Sequence, residues 1–116
     1  LMYSCGVGKG HFDDKRLIYL LSEAPAKAFG LYPNKGSLQE GTDADIVVFD
    51  PKRKMTIRDE NRHTAAGYSP YSGMEITGVP VRTILRGKTI VRDGEFTGEK
   101  GGGRFLEARP SHLYGE

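Results

Sequence analysis

A handful of short constellations in this sequence carry residue types that could do chemistry. Gly6-Val7-Gly8-Lys9-Gly10 sets three glycines around a lysine, the composition of a loop whose backbone N–H groups approach phosphate. A phosphate loop needs a glycine five residues before the Gly-Lys pair and a Ser or Thr after it. Tyr3 and Gly10 stand at those positions, so the segment reads as a flexible connector. Asp43-Ala44-Asp45 opens like a calcium loop, but Ile46, Val47 and Val48 follow and carry no oxygen ligands. The two carboxylates are expected to satisfy a turn that leads into a strand. Glu60-Asn61-Arg62-His63 matches Glu-x-x-His, which on a helix puts a carboxylate and an imidazole on one face. Di-metal bundle sites use two such copies with further carboxylates on long helices. Here a single copy sits in loop-like sequence, so His63 is expected to order a loop or face solvent.

The remaining candidates are weaker still. His11 and His112 are far from His63 and from each other, with no His-x-His or His-x-x-x-His pair. Cys5 is the single cysteine; alone it completes no thiolate metal site, and nothing local marks it as an activated nucleophile. Lys52-Arg53-Lys54 with Arg58 forms a basic cluster, expected as a solvated turn rather than a nucleic-acid contact. From the residues alone, no catalytic, cofactor-binding or metal-ligating residue emerges.

The elements that would position these groups change character along the chain. Asp13 or Asp14 offers an N-cap, and Leu17, Ile18, Leu20 and Leu21 follow at helical spacing. Ser22 is expected to cap a second short helix with Pro25 in its first turn, and Gly30 to stop it in a left-handed conformation. Turns at Pro33–Gly36 and Glu40–Asp43 bracket a short extended stretch, Ser37–Gln39. Ile46–Phe49, an unbroken apolar run, predicts a strand buried on both faces and ended by Asp50-Pro51. Met55–Ile57 alternates like an edge or half-buried strand, and Arg58–Met74 reads as a long loop. Val81–Leu85 and Thr89–Val91 predict a hairpin closed at Arg86-Gly87-Lys88. Asp93-Gly94 is a further turn, Glu95–Thr97 a last short strand, Lys100–Gly103 a link, and Arg104–Glu116 a tail without clear period. The expected fold class is mainly β with N-terminal helices.

Composition narrows the function classes. The chain has 116 residues, a net charge of +2 and 37% hydrophobic residues. Its mean hydropathy of −0.49 argues against a membrane protein, and Leu17–Leu21, the longest apolar run, falls far short of the ~20 residues a spanning helix needs. Nearly balanced charge argues against a dedicated nucleic-acid binder. One cysteine forms no internal disulfide, which favours a reducing compartment, and a cytoplasmic location is expected. The chain opens Leu1-Met2-Tyr3-Ser4 with neither an initiator methionine nor a secretory signal, so a piece of a longer chain is expected.

Longer motifs carry a resemblance. Glu23-Ala24-Pro25-Ala26-Lys27-Ala28-Phe29-Gly30-Leu31-Tyr32-Pro33 resembles the Asn-Pro-Ala-Lys-x-Phe-Gly-Leu-Tyr-Pro stretch of cyclic amidohydrolases. It runs into Lys35-Gly36-Ser37-Leu38-Gln39-Glu40-Gly41-Thr42-Asp43-Ala44-Asp45 and Ile46–Pro51, which is similar to that superfamily's return from barrel to β-sandwich. Tyr68-Ser69-Pro70-Tyr71-Ser72-Gly73-Met74-Glu75 and Gly78-Val79-Pro80-Val81 resemble hydantoinases and dihydropyrimidinases in particular, and Gly103-Arg104-Phe105 the start of their tail. Glu23, Gly67 and Ser69 depart from the family's usual residues, at cap or loop positions.

The resemblance implies a metal-bearing (β/α)8 barrel flanked by a β-sandwich, with this chain supplying the end of both. Residues 1–32 would be a closing helical segment of the barrel, 33–98 a β-sandwich portion and 99–116 a C-terminal tail. In the intact enzyme a hydroxide held by two divalent metals, usually zinc, would open cyclic amides (hydantoins and dihydropyrimidines) to N-carbamoyl amino acids. None of the family's metal ligands or its catalytic aspartate maps onto a residue here, so catalytic, cofactor and metal residues are all expected to be absent. The expected partners are the remainder of the same protein and, through the apolar tail residues Phe105, Leu106, Leu113 and Tyr114, a second subunit; no nucleic acid or membrane is expected. Two other readings are a non-catalytic scaffold relative of the dihydropyrimidinases and a free-standing β-module that binds a partner.

Overall fold

The structure, a computed structural model, describes residues 1–61 and 65–110. Its first element corrects the expected flexible connector. Met2–Val7 is a wide helical turn closed by Gly8 N–H donating to the Tyr3 carbonyl at 2.9 Å. Tyr3 docks it on the sheet, its ring 4.9 Å from that of Phe49, while the Ser4 hydroxyl accepts from Thr77 N–H. Gly78 makes this approach feasible: its φ is +93°, and a Cβ there would lie 2.3 Å from the Tyr3 ring.

The predicted pair of short helices is one continuous rod. Asp13 caps it, accepting from Arg16 N–H at 2.8 Å, and Asp14–Ile18, Tyr19–Glu23 and Ala24–Ala28 follow without a break. Ser22 therefore caps nothing and lies mid-helix. Pro25 has no N–H to give, and its ring would press on the carbonyl four residues back in a regular α-helix. The turn over Tyr19–Glu23 is widened instead, with Ala24 N–H reaching back to the Tyr19 carbonyl, and this absorbs the proline without ending the helix. Gly30 does end it, with φ +66°. Leu31 N–H donates to the Ala26 carbonyl at 2.8 Å and Gly30 N–H to the Lys27 carbonyl at 3.2 Å, the paired bonds of a Schellman closure.

The C-terminal part is one antiparallel sheet of four strands in the order β1-β2-β3-β4. The strands are β1 (Ile46–Thr56), β2 (Glu75–Leu85), β3 (Lys88–Arg92) and β4 (Glu95–Phe96). Two hairpin turns set their register. Arg86 and Gly87 have φ of +47° and +80°, Asp93 and Gly94 +50° and +88°, so both turns hold two left-handed residues and match the twist of the flanking strands.

Several strand expectations are corrected. Asp50-Pro51 does not end β1; the pairing shifts between Asp50 and Lys54, and the Asp50 carboxylate accepts from the N–H groups of Lys52 and Arg53 across the gap. A bulge needs no ladder donor from Pro51, so proline fits there. Met55 and Thr56 belong to the same long strand. Ile46–Phe49 is not buried on both faces, since Val47 and Val48 are exposed. β2 starts six residues earlier than the apolar run suggested, passing through Gly78 and Pro80, which lie beside a register shift. Ser37–Gln39 pairs with no strand.

The core is thin. Among the described residues the buried apolar side chains are Ala26, Ile57, Ile76 and Val79, and no large side chain is fully enclosed. The loop after β1 closes on itself, with Gly73 N–H donating to the Ile57 carbonyl and Ile57 N–H to the Met74 carbonyl. The long helix leans on the Met2–Val7 turn, which in turn packs on β2.

Candidate functional site

The most organised polar site lies where the helix exit, the 43–45 segment and the β2–β3 hairpin meet. Backbone bonds bring the three together: Asp43 N–H donates to the Asn34 carbonyl and Gly87 N–H to the Ala44 carbonyl. Lys35, with 17% of its side chain exposed, pairs with Asp43 at 2.9 Å and also with Asp45. The other Asp45 oxygen accepts from Arg86 N–H at 2.8 Å. Burial works to lower the Lys35 pKa, but its bonds to Asp45 and Asp43 outweigh that and raise it above the usual lysine range. Burial likewise works to raise Asp45, yet the bonds from Lys35 and Arg86 N–H hold its carboxyl below the usual carboxylate range. Lys35 and Asp45 stay charged at neutral pH, and Lys35 is shared between the two carboxylates. Such a node holds elements together; it has no poised acid, base or nucleophile.

Beside it opens a cavity of about 320 Å³, lined by Gly30, Tyr32, Asn34 and Lys35 on one side and by Phe105 to Arg109 on the other. The tail is brought there by Arg109 N–H donating to the Gly30 carbonyl at 2.9 Å. A Cβ on Gly30 would lie 1.8 Å from the Arg109 carbonyl oxygen, so the tail backbone needs a glycine there.

The other candidates do not converge on this place. Gly6 is a buried part of the first helical turn, and Cys5 beside it is half-buried and free. His11 is exposed; His63 and His112 lie outside the described residues, as do Leu113 and Tyr114. Glu60 is in a single turn, Asp59–Asn61. Lys52, Arg53, Lys54 and Arg58 are exposed, and Arg53 pairs with Asp93 at 2.8 Å across the sheet. Among the described residues no group of three His, Cys, Asp or Glu is arranged to hold a metal ion, and no helix is long and apolar enough to cross a membrane. Asp43 and Asp45 do what the sequence suggested, steadying a turn into a strand. The pairing of Lys35, and the contacts of Arg86 with Asp45 and Gly102 and of Gly30 with Arg109, had no comparable signal, because these partners lie in other elements.

One sheet face is also notable. Val47, Thr83, Val91 and Phe96 stand directly opposite one another across the four strands and so share a face. Its two ends, Val47 and Phe96, are 58% and 54% exposed.

Residues 1–90 match the amidohydrolase family. A D-phenylhydantoinase of Escherichia coli O81 (strain ED1a) is 44% identical over 110 residues, covering 95% of this chain and 24% of that protein. The solved D-hydantoinase (dihydropyrimidinase) from Thermus sp. superposes with a TM-score of 0.89 at 43% identity, over 95% of this chain and 24% of its own. The dihydropyrimidinase of Brevibacillus agri NCHU1002 gives 0.86 at 38% identity, over 94% and 24%. The chain thus spans about a quarter of the length of the relatives it matches.

Proposed function

This chain belongs to the amidohydrolase family, and on that premise we propose that it forms part of a hydantoinase- or dihydropyrimidinase-type enzyme that opens cyclic amides to N-carbamoyl amino acids. In this reading residues 1–32 close the helical shell of a (β/α)8 barrel and 33–98 supply the C-terminal share of a β-sandwich. Residues 99–116 are a tail that reaches a neighbouring subunit in a cytoplasmic homo-oligomer. The observation that carries the reading is the extent of the match: 44% identity over 95% of this chain, against only 24% of the relative. The row Val47, Thr83, Val91, Phe96, half-buried in its middle and exposed at its apolar ends, supports the sandwich, because such ends are stabilised when a second sheet packs on them. The thin core weighs against a free-standing β-module, since a domain of this size needs most of its apolar side chains enclosed.

The family reading implies two divalent metals, usually zinc. The described residues do not fit them: His11 stands alone, Asp43 and Asp45 are both held by the Lys35 ammonium, and no third ligand joins them among the described residues. The ring-opening chemistry is therefore assigned to the remainder of the protein, and this chain's role is to complete its packing.

The test is to follow ring absorbance of hydantoin and dihydrouracil with the full-length protein, with and without added zinc, and with the 116-residue chain in parallel. Metal-dependent opening by the full-length protein and none by the chain is expected. Turnover by the chain alone would overturn the structural role. A metal-loaded full-length protein silent on both rings would favour the non-catalytic scaffold.

A further inference from the structure

The segment after β4 is tied down only near its ends. On the sheet side Lys88 Nζ donates to Glu99 Oε1 and Arg86 Nη2 to the Gly102 carbonyl, both at 2.5 Å. On the helix side Arg109 N–H donates to the Gly30 carbonyl. Between these points residues 103–108 make no hydrogen bond to the described body of the protein, and Phe105 is 90% exposed. This middle stretch roofs the cavity beside Lys35 and Asp43.

We propose that residues 99–109 form a strap that opens and closes as a unit over that cavity, with Arg86 as its clasp on the sheet and Gly30 as its seat at the helix end. A segment with little buried apolar surface and only end ties opens at low free energy while the elements it bridges stay folded. Losing either tie frees the middle, so both ends open together. Opening removes the Phe105–Ala108 side of the cavity and brings water to the Lys35–Asp43 pair. The inference does not depend on the enzymatic reading.

Arg86 permits a clean test. Its N–H is held by Asp45 and its φ is +47°, so Arg86→Gly removes the guanidinium while suiting the turn. In the full-length protein, hydrogen exchange of residues 99–109 and trypsin cleavage at Arg104–Phe105 are measured for Arg86→Gly and Gly30→Ala. Both variants are expected to speed exchange along the whole strap and cleavage at that bond by about 3- to 10-fold, with β1–β3 amides unchanged. Acceleration confined to the mutated end, or no acceleration, would overturn the strap as a unit.

Discussion

Lys35 pairs with two aspartates, one of which, Asp45, also accepts from a hairpin amide, so this residue helps to set how the helix exit meets the sheet. Its pKa is raised and that of Asp45 lowered, so the signs of their contributions differ. Asp45 stabilises the fold above the ordinary carboxylate pKa, and that share is lost as pH falls through its depressed value. Lys35 stabilises below the ordinary lysine pKa, and its share is lost as pH rises through its raised value. The node is whole from about pH 4 to about pH 10. Lys35→Met should therefore cost about 1–2 kcal/mol at neutral pH, between the values for exposed and buried pairs. Thermal unfolding of the two proteins at neutral pH and through the acid range checks this; the gap should shrink progressively as pH falls below the ordinary carboxylate range towards the depressed Asp45 value. A gap of equal size throughout would assign Lys35 to packing of its stem.

At the scale of elements, the helix was legible in its start and its stop but not in its middle. Asp13 and Gly30 act through neighbours three or four residues away, so their types were sufficient signals. Pro25 was ambiguous: it suits the first turn of a new helix, and it also suits a widened turn inside an old one. Only the path of the chain through Tyr19–Glu23 distinguished the two. The sheet shows the same division. Arg86-Gly87 and Asp93-Gly94 announced their hairpins, whereas the bulge at Asp50–Lys54 depends on how β2 lies beside β1. The cap is the place to test the helix. Asp13→Ala leaves Arg16 N–H without its acceptor and should cost about 1 kcal/mol, read as a fall in Tm of a few degrees. An unchanged Tm would mean that the first turn is held by its packing.

At the scale of the whole molecule, the sheet row with its exposed apolar ends is the main clue to what the chain is for. Val47 and Phe96 would be energetically idle on a finished surface, but they stabilise a sheet covered by another. Val47→Glu should therefore leave the 116-residue chain close to its original stability while destabilising the full-length protein by about 1–3 kcal/mol. Denaturant midpoints of both forms decide it, and equal effects in the two would mean that nothing covers this face. The tail belongs to this scale as well. Its composition suggested a reach towards another subunit, yet residues up to Arg109 fold back onto Gly30 of the same chain. Phe105, 90% exposed at the rim of the cavity, keeps apolar surface that a neighbour could cover.

The sequence by itself determined the family, the turn residues, and the helix cap and stop. These are matters of local conformational preference, or of a long in-register pattern, and both can be read one residue after another. The tertiary structure alone decided that two predicted helices are one and that an Asp-Pro pair bulges a strand without ending it. It also decided that Val47 and Val48 are bare, and that Lys35, Arg86 and Gly30 are the joints of the molecule. Apart from the helix, whose continuity rests on a widened turn between Tyr19 and Ala24, these depend on groups eight to eighty positions apart coming within hydrogen-bonding or van der Waals distance. That proximity is set by how the helix, hairpin and tail pack, and no single stretch of the chain encodes it.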